Sequence, residues 1–99
     1  MHQHRWTPEE DFTVIREVLV HFVKGNGCDM DLFLKDLKTK VPAVPVGSIR
    51  MKIQNIKTML EEKKIKNCLD VSPLENYSKQ CMAILEAFID AANKGTKEK

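Results

Sequence analysis

Hydrophobic residues recur at helical spacing in four separate stretches of this chain, and nowhere does the two-residue alternation of a strand compete with them. In the first stretch Phe12, Ile15, Val18, Leu19, Phe22 and Val23 form one broad apolar face. Thr7-Pro8-Glu9-Glu10 precedes it as a capping box, with Thr7 as N-cap, Pro8 at the first helical position and Glu10 reaching back to the cap. Glu9, Glu10 and Asp11 set negative charge where the helix dipole favours it, and Gly25-Asn26-Gly27 predicts the stop. A second, shorter helix is expected from an Asp29 cap to about Lys40, burying Phe33, Leu34 and Leu37. Pro42 and Pro45 then make residues 41–45 a short, stiff link.

The third helix is expected from Val46 to Glu62. Steps of about 100° per residue place Ile49, Ile53, Ile56 and Leu60 in a narrow stripe facing a core. Gly47, Met51, Gln54, Asn55 and Thr58 fall on the opposite side, with Arg50 and Lys57 along one flank and Lys52 along the other. After a loop from Asn67 to Tyr77, Ser78 caps a fourth helix buried through Met82, Ile84, Leu85, Phe88 and Ile89. That helix is expected to end at Asn93-Lys94-Gly95. The pattern predicts an all-α domain over residues 1–95, a disordered tail over 96–99, and one core holding Trp6, Phe12, Ile15, Leu19, Phe33, Leu37, Ile49, Ile53, Ile56, Leu85 and Phe88.

Charge changes the picture at one place. Residues 46–67 carry Arg50, Lys52, Lys57, Lys63, Lys64 and Lys66 against Glu61 and Glu62, a local balance of +4, whereas the segments on either side each sum to −1. A polyanion responds to charge gathered on one element more than to the total of +2. The competing reading is a solvated lysine-rich face.

At 99 residues the chain has room for one modest core. No apolar run reaches the roughly 18–20 residues of a membrane span, and the start, His2-Gln3-His4-Arg5, is unlike a signal peptide. Cys28, Cys68 and Cys81 are widely spaced and include no C-x-x-C pair, which fits free thiols in a cytoplasmic protein better than a disulfide scaffold or a zinc finger.

Three sets of residues carry a family resemblance. Arg5-Trp6-Thr7-Pro8-Glu9-Glu10-Asp11 resembles the start of Myb/SANT-like helix-turn-helix domains, in which a tryptophan packs at the head of the first helix. Val46-Gly47-Ser48-Ile49-Arg50-Met51-Lys52-Ile53-Gln54-Asn55 is similar to the third helix of a bacterial domain of that kind found ahead of HNH nuclease modules. The loop Leu74-Glu75-Asn76-Tyr77-Ser78-Lys79 and the later Glu86 and Phe88 resemble the loop and last helix of the same domain. The match spans roughly residues 5–90. It departs from the pattern at Pro45-Val46, where the family has a capping Ser or Thr before Pro, and it includes no nuclease module. The resemblance implies a small four-helix, helix-turn-helix (Myb/SANT-like) domain of bacterial or phage type, a restriction-like accessory domain standing alone, that binds duplex DNA without cutting it.

In such domains the third helix enters the major groove, its polar face toward base edges and its flanking cations toward phosphates. Gln54 and Asn55 suit adenine, Arg50 suits guanine, Met51 suits a thymine methyl, and Ser48 suits a phosphate beside free backbone N–H groups. Lys52 and Lys57 complete the expected interface. The alternative is that these amides face water and Met51 packs on a neighbour. His2, His4 and Arg5 form either a minor-groove arm or a frayed terminus. Asn76 is expected to hold its loop, and Cys81, near a helix start whose dipole lowers a thiol pKa, is expected to pack with no acid or His beside it. No catalytic constellation, metal site or cofactor site is expected. The rival function is a protein–protein module, as partner or homodimer, presenting the acidic residues Glu9, Glu10, Asp11, Glu17, Asp29, Asp31 and Asp36 to a basic protein such as a nucleic-acid enzyme.

Overall fold

The first helix starts where its capping box places it. Thr7 Oγ1 accepts from the Glu10 N–H at 3.2 Å, and the Glu10 carboxylate accepts from the Thr7 N–H at 3.1 Å. These contacts come from a computed structural model that describes residues 4–75 and 77–97, with side chains described as far as Ala92. The expectations for His2, Asn76 and residues 98–99 lie outside the described residues. Among those described, all regular structure is helical: α1 (Pro8–Val18) continuing into a π-helical turn (Leu19–Lys24), then α2 (Met30–Lys40), α3 (Val46–Glu62) and α4 (Lys79–Lys97). None of these helices is long and apolar enough to cross a membrane.

Helix α1 packs against both α3 and α4, and α2 packs against α3. The core between them holds Val14, Ile15, Val18, Phe22, Phe33, Leu34, Leu37, Ile49, Ile53, Ile56, Met59, Leu60, Cys81 and Leu85. Val41 and Val44, in the link before α3, are buried too, so the Pro42 and Pro45 breaks turn the chain inward. Trp6, Leu19 and Phe88, expected within the core, pack only partly buried against it. Phe12 departs further and is 44% exposed. It lies one step of about 100° from the Asp11–Ile15–Val18 stripe, and its ring pairs instead with Phe88, centroids 4.8 Å apart.

The π-turn closes with the Gly25 N–H donating to Val20 O at 3.0 Å, one residue further than an α-helix reaches. Gly27 comes next at φ +88°, a conformation glycine adopts without strain. At its other end α3 stops in a Schellman arrangement. The N–H groups of Lys64 and Ile65 donate to Glu61 O at 3.1 Å and Leu60 O at 2.9 Å. Lys64 occupies the left-handed position at φ +59°, where glycine is usual. The Ser78 cap forms as expected, its Oγ accepting from the Cys81 N–H at 3.0 Å. Helix α4 then passes the expected Asn93-Lys94-Gly95 stop and reaches Lys97. Glycine inside a helix costs only about 1 kcal/mol relative to alanine, too little to end this one.

Two stability measurements check this packing. Ile53→Ala should lose about 2–5 kcal/mol in chemical denaturation, because Ile53 is 1% exposed and its removal leaves a cavity beneath α3. Lys64→Gly should gain about 0.5–1 kcal/mol, since an L-residue costs roughly 1–2 kcal/mol in the left-handed region and glycine returns part of that as chain entropy. No gain from Lys64→Gly would mean that the left-handed cap is not formed in solution.

Candidate nucleic-acid interface

The polar side of α3 is open over its first turns and closed by the following loop around Thr58, with Glu61 exposed beyond it. Thr58, expected to face solvent, is 7% exposed because the loop after α3 folds over it. Its Oγ1 donates to Leu74 O at 3.0 Å, and the Leu74 N–H donates to Gln54 O at 3.3 Å. Tyr77 Oη donates to the Glu62 carboxylate, which favours the protonated phenol and raises its pKa. Asn67 helps shape the loop: its Oδ1 accepts from the Leu69 N–H at 3.2 Å, and Leu69 is buried. The longest open stretch of α3 is thus residues 46–55, and the exposed end of the helix beyond Thr58 carries the acidic Glu61 and Glu62.

Within that part Gly47, Arg50, Met51 and Gln54 lie at helical spacing along one outer strip. Arg50 is exposed, Met51 is 51% exposed, and nothing lies within 4 Å of where a Cβ on Gly47 would sit. Gln54, Asn55 and Ser48 are half-buried. Asn55 Oδ1 is fully withdrawn from solvent with no hydrogen-bond partner among the described residues, so its carbonyl end does not face outward. The start of α3 has Pro45 as its N-cap and no side-chain capping bond, in keeping with the departure at Pro45-Val46.

The basic character of residues 46–67 is less available than their +4 balance suggests, because three of the six cations are paired within the chain. Lys63 Nζ lies 2.8 Å from Glu86 and Lys57 Nζ lies 3.0 Å from Glu61, with Asn67 Oδ1 accepting from Lys57 at 3.4 Å. Lys52 requires a correction. It is 6% exposed, with Nζ 2.8 Å from Oδ1 of Asp11, which is itself 0% exposed. The contact lacks the alignment of a hydrogen bond, so charge alone holds that oxygen. Asp11 Oδ2 accepts from Gln80 Nε2 at 2.8 Å, and the Lys52 ammonium stands 4.5 Å from the Trp6 ring centroid. Lys52 therefore joins α1 to α3 inside the fold and is closed to a phosphate.

Cys81 belongs to the same buried cluster. Burial pushes its thiol up to about 11, Asp11 adding to the effect and Lys52 opposing it. The expected lowering by the helix dipole and the absence of an acid beside it are both reversed. A signal for this cluster was present: Asp11 precedes Val14, Ile15 and Val18 on one helical stripe, and Lys52 shares the stripe of Ile49, Ile53 and Ile56.

Two cations on α2 lie beside the start of α3. Lys35 and Lys38 line a shallow cleft with Asp31 and Leu34 of α2 and Val46 and Arg50 of α3. Lys38 Nζ also donates to Pro42 O at 2.9 Å and Val44 O at 2.8 Å, fastening the link that precedes α3. Lys35 is exposed on the outer flank of α2, and the apolar periodicity of that helix carries no signal for it. Three of the four acidic residues of α1 have close partners, Asp11 through Lys52 and the other two through His or Arg side chains. Glu10 lies 2.7 Å from His4 Nε2, and Glu17 lies 3.5 Å from both Arg16 and His21. Burial of Glu10 works against its ionisation, but the His4 and Thr7 hydrogen bonds outweigh it and lower the pKa. No group of three or more metal-ligating side chains converges among the described residues.

The burial of Lys52 makes a direct prediction. Lys52→Ala should destabilise the fold by about 3–5 kcal/mol, because it strands a buried carboxylate. The double change Asp11→Leu with Lys52→Met should recover most of that loss. Thermal melts of the three proteins check it, and an unchanged Lys52→Ala melt would place Lys52 at the surface.

No protein-family model matches the chain, and searches of curated proteins and of solved structures return no match either.

Proposed function

We propose that the chain is a non-enzymatic, duplex-DNA-binding protein of helix-turn-helix type that sets the first half of α3 into the major groove. The observation that supports it most is the open strip Gly47-Arg50-Met51-Gln54, bordered by Lys35 and Lys38. Helix-turn-helix proteins read bases chiefly from the start of the recognition helix, which is the part of α3 that the loop leaves uncovered. Arg50 and Lys35 have no ion-pair partner among the described residues, so their charge is available to phosphates. Gly47 permits close approach of a backbone, and Gln54 and Met51 offer the contacts that suit adenine and a thymine methyl. Lys57 and Asn55 contribute less than their sequence positions suggested, and Ser48 stands with the uncapped N–H groups at the helix start. A single module of this size gives a limited contact area, so binding should be electrostatic with modest sequence preference.

The rival reading, a protein-binding module, is supported by Leu32, Val46 and Met51, large apolar side chains exposed at 63%, 44% and 51% on the same two helices. Its acidic face has less support, since Asp11 is buried and Glu10, Glu17 and Asp36 have partners.

Salt-titrated binding to random duplex DNA separates the two. Arg50→Gln and Lys35→Gln should each weaken binding on all sequences and reduce the salt slope by about one. Gln54→Ala should instead change the preferred sequence, by about 1–3 kcal/mol at one base pair. Absence of salt-sensitive binding at low ionic strength would overturn the DNA reading in favour of the protein partner.

A further inference from the structure

A second concavity lies away from the open strip of α3, between the π-turn, the segment after α3 and the outer face of α4. Leu19, Val20 and Val23 form one wall, Phe88, Ile89 and Ala92 the other, and Ile65 closes one side, around a volume of about 360 Å³. Two backbone irregularities bound it. The π-helical turn supplies Leu19, Val20 and Val23, and the left-handed Lys64 precedes Ile65. π-Turns occur frequently at functional sites in folded proteins. Among the described residues, the charged side chains lining the cleft are Arg16 and Lys24, with no carboxylate in the lining. Along the helix they lie at opposite ends of the Arg16–Leu19–Val20–Val23–Lys24 row, about 12 Å apart in rise.

We infer that this cleft is a binding site for a small amphiphilic anion, a short aliphatic carboxylate whose chain lies between α1 and α4 and whose head meets Arg16 or Lys24. An apolar lining with few polar groups, at this volume, is the character of a small-molecule site. The cationic ends select the sign of the head group. Lys24 has no ion-pair partner among the described residues and is available to a ligand, whereas the Arg16 guanidinium lies 3.5 Å from Glu17 and 5.8 Å from the Phe12 ring centroid and must exchange these contacts for a ligand's head group. The occupied cleft would also cover Val20, which is otherwise 48% exposed.

Methyl-resolved NMR titration of the full chain with octanoate, octanol and octylamine tests this, because the three share one apolar body and differ in head charge. Octanoate should shift the methyl signals of Val20, Val23, Ile65 and Ile89 in a saturable way, with octanol about two- to fivefold weaker and octylammonium weaker still. Arg16→Gln with Lys24→Gln should erase the preference for octanoate over octanol. Val20→Asp, at an exposed site, should abolish octanoate binding while leaving the thermal melt unchanged. Equal affinity for all three compounds, or shifts spread over the whole chain, would overturn the inference. So would a concentration-dependent shift of the same methyls without ligand, which would assign the cleft to a second copy of the chain.

Discussion

The buried pair of Asp11 and Lys52 is the contact on which the orientation of α3 depends. An isolated charge in that position would be costly, and the two are tolerable only together and only with their remaining polar atoms engaged. Gln80 from α4 and the Trp6 ring from the segment before α1 supply that engagement. One contact therefore ties α1, α3, α4 and the chain before them. A small rotation of α3 would unpack its buried isoleucines and would also separate the two charges without returning them to water. The worth of the pair lies in specifying one register rather than in net stability.

Fixing the rotation of α3 also fixes what it presents outside. With Ile49, Lys52, Ile53 and Ile56 inward, Gly47, Arg50, Met51 and Gln54 must face outward. The loop after α3 covers the middle of the same face through Thr58 and Leu74, so the exposed basic and amide side chains are those of the first turns. Lys38 holds the preceding link by two carbonyl contacts and brings the α2 cations beside Arg50. Core chemistry and surface chemistry are two sides of one constraint. A binding surface built on a helix whose register is pinned this way is presented in one geometry, which favours recognition by reducing what must be ordered on binding.

Much of this was legible in the residues. The bounds of α2 and α3 come from Asp29, Pro42 and Pro45, and the inward stripe of α3 from its isoleucines. Periodicity failed where a polar residue occupied an apolar position: Asp11 and Lys52 sit on the core stripes, but charge is ordinarily a sign of exposure. It also failed for Thr58, which faces away from the core and is buried by a loop with no periodic pattern to reveal its path. The π-turn and the left-handed Lys64 are local backbone choices that no spacing of side chains encodes. Available charge is overestimated from sequence for the same reason that burial is missed, since pairing depends on neighbours brought from distant positions, such as Glu86 beside Lys63. The helix-turn-helix resemblance supplied an expectation of groove reading, and its weight rests on the exposed first half of α3 alone.

The most direct test of the account is a map of where duplex DNA touches the protein. Backbone-amide NMR, with a short random duplex added at low ionic strength, should perturb residues 46–55 and the neighbourhood of Lys35. It should leave the Asp11–Lys52 cluster and the α4 face unchanged, and the perturbation should fade as salt is raised. Perturbation centred on another surface, or none at all in a folded protein, would contradict the claim that α3 carries the function.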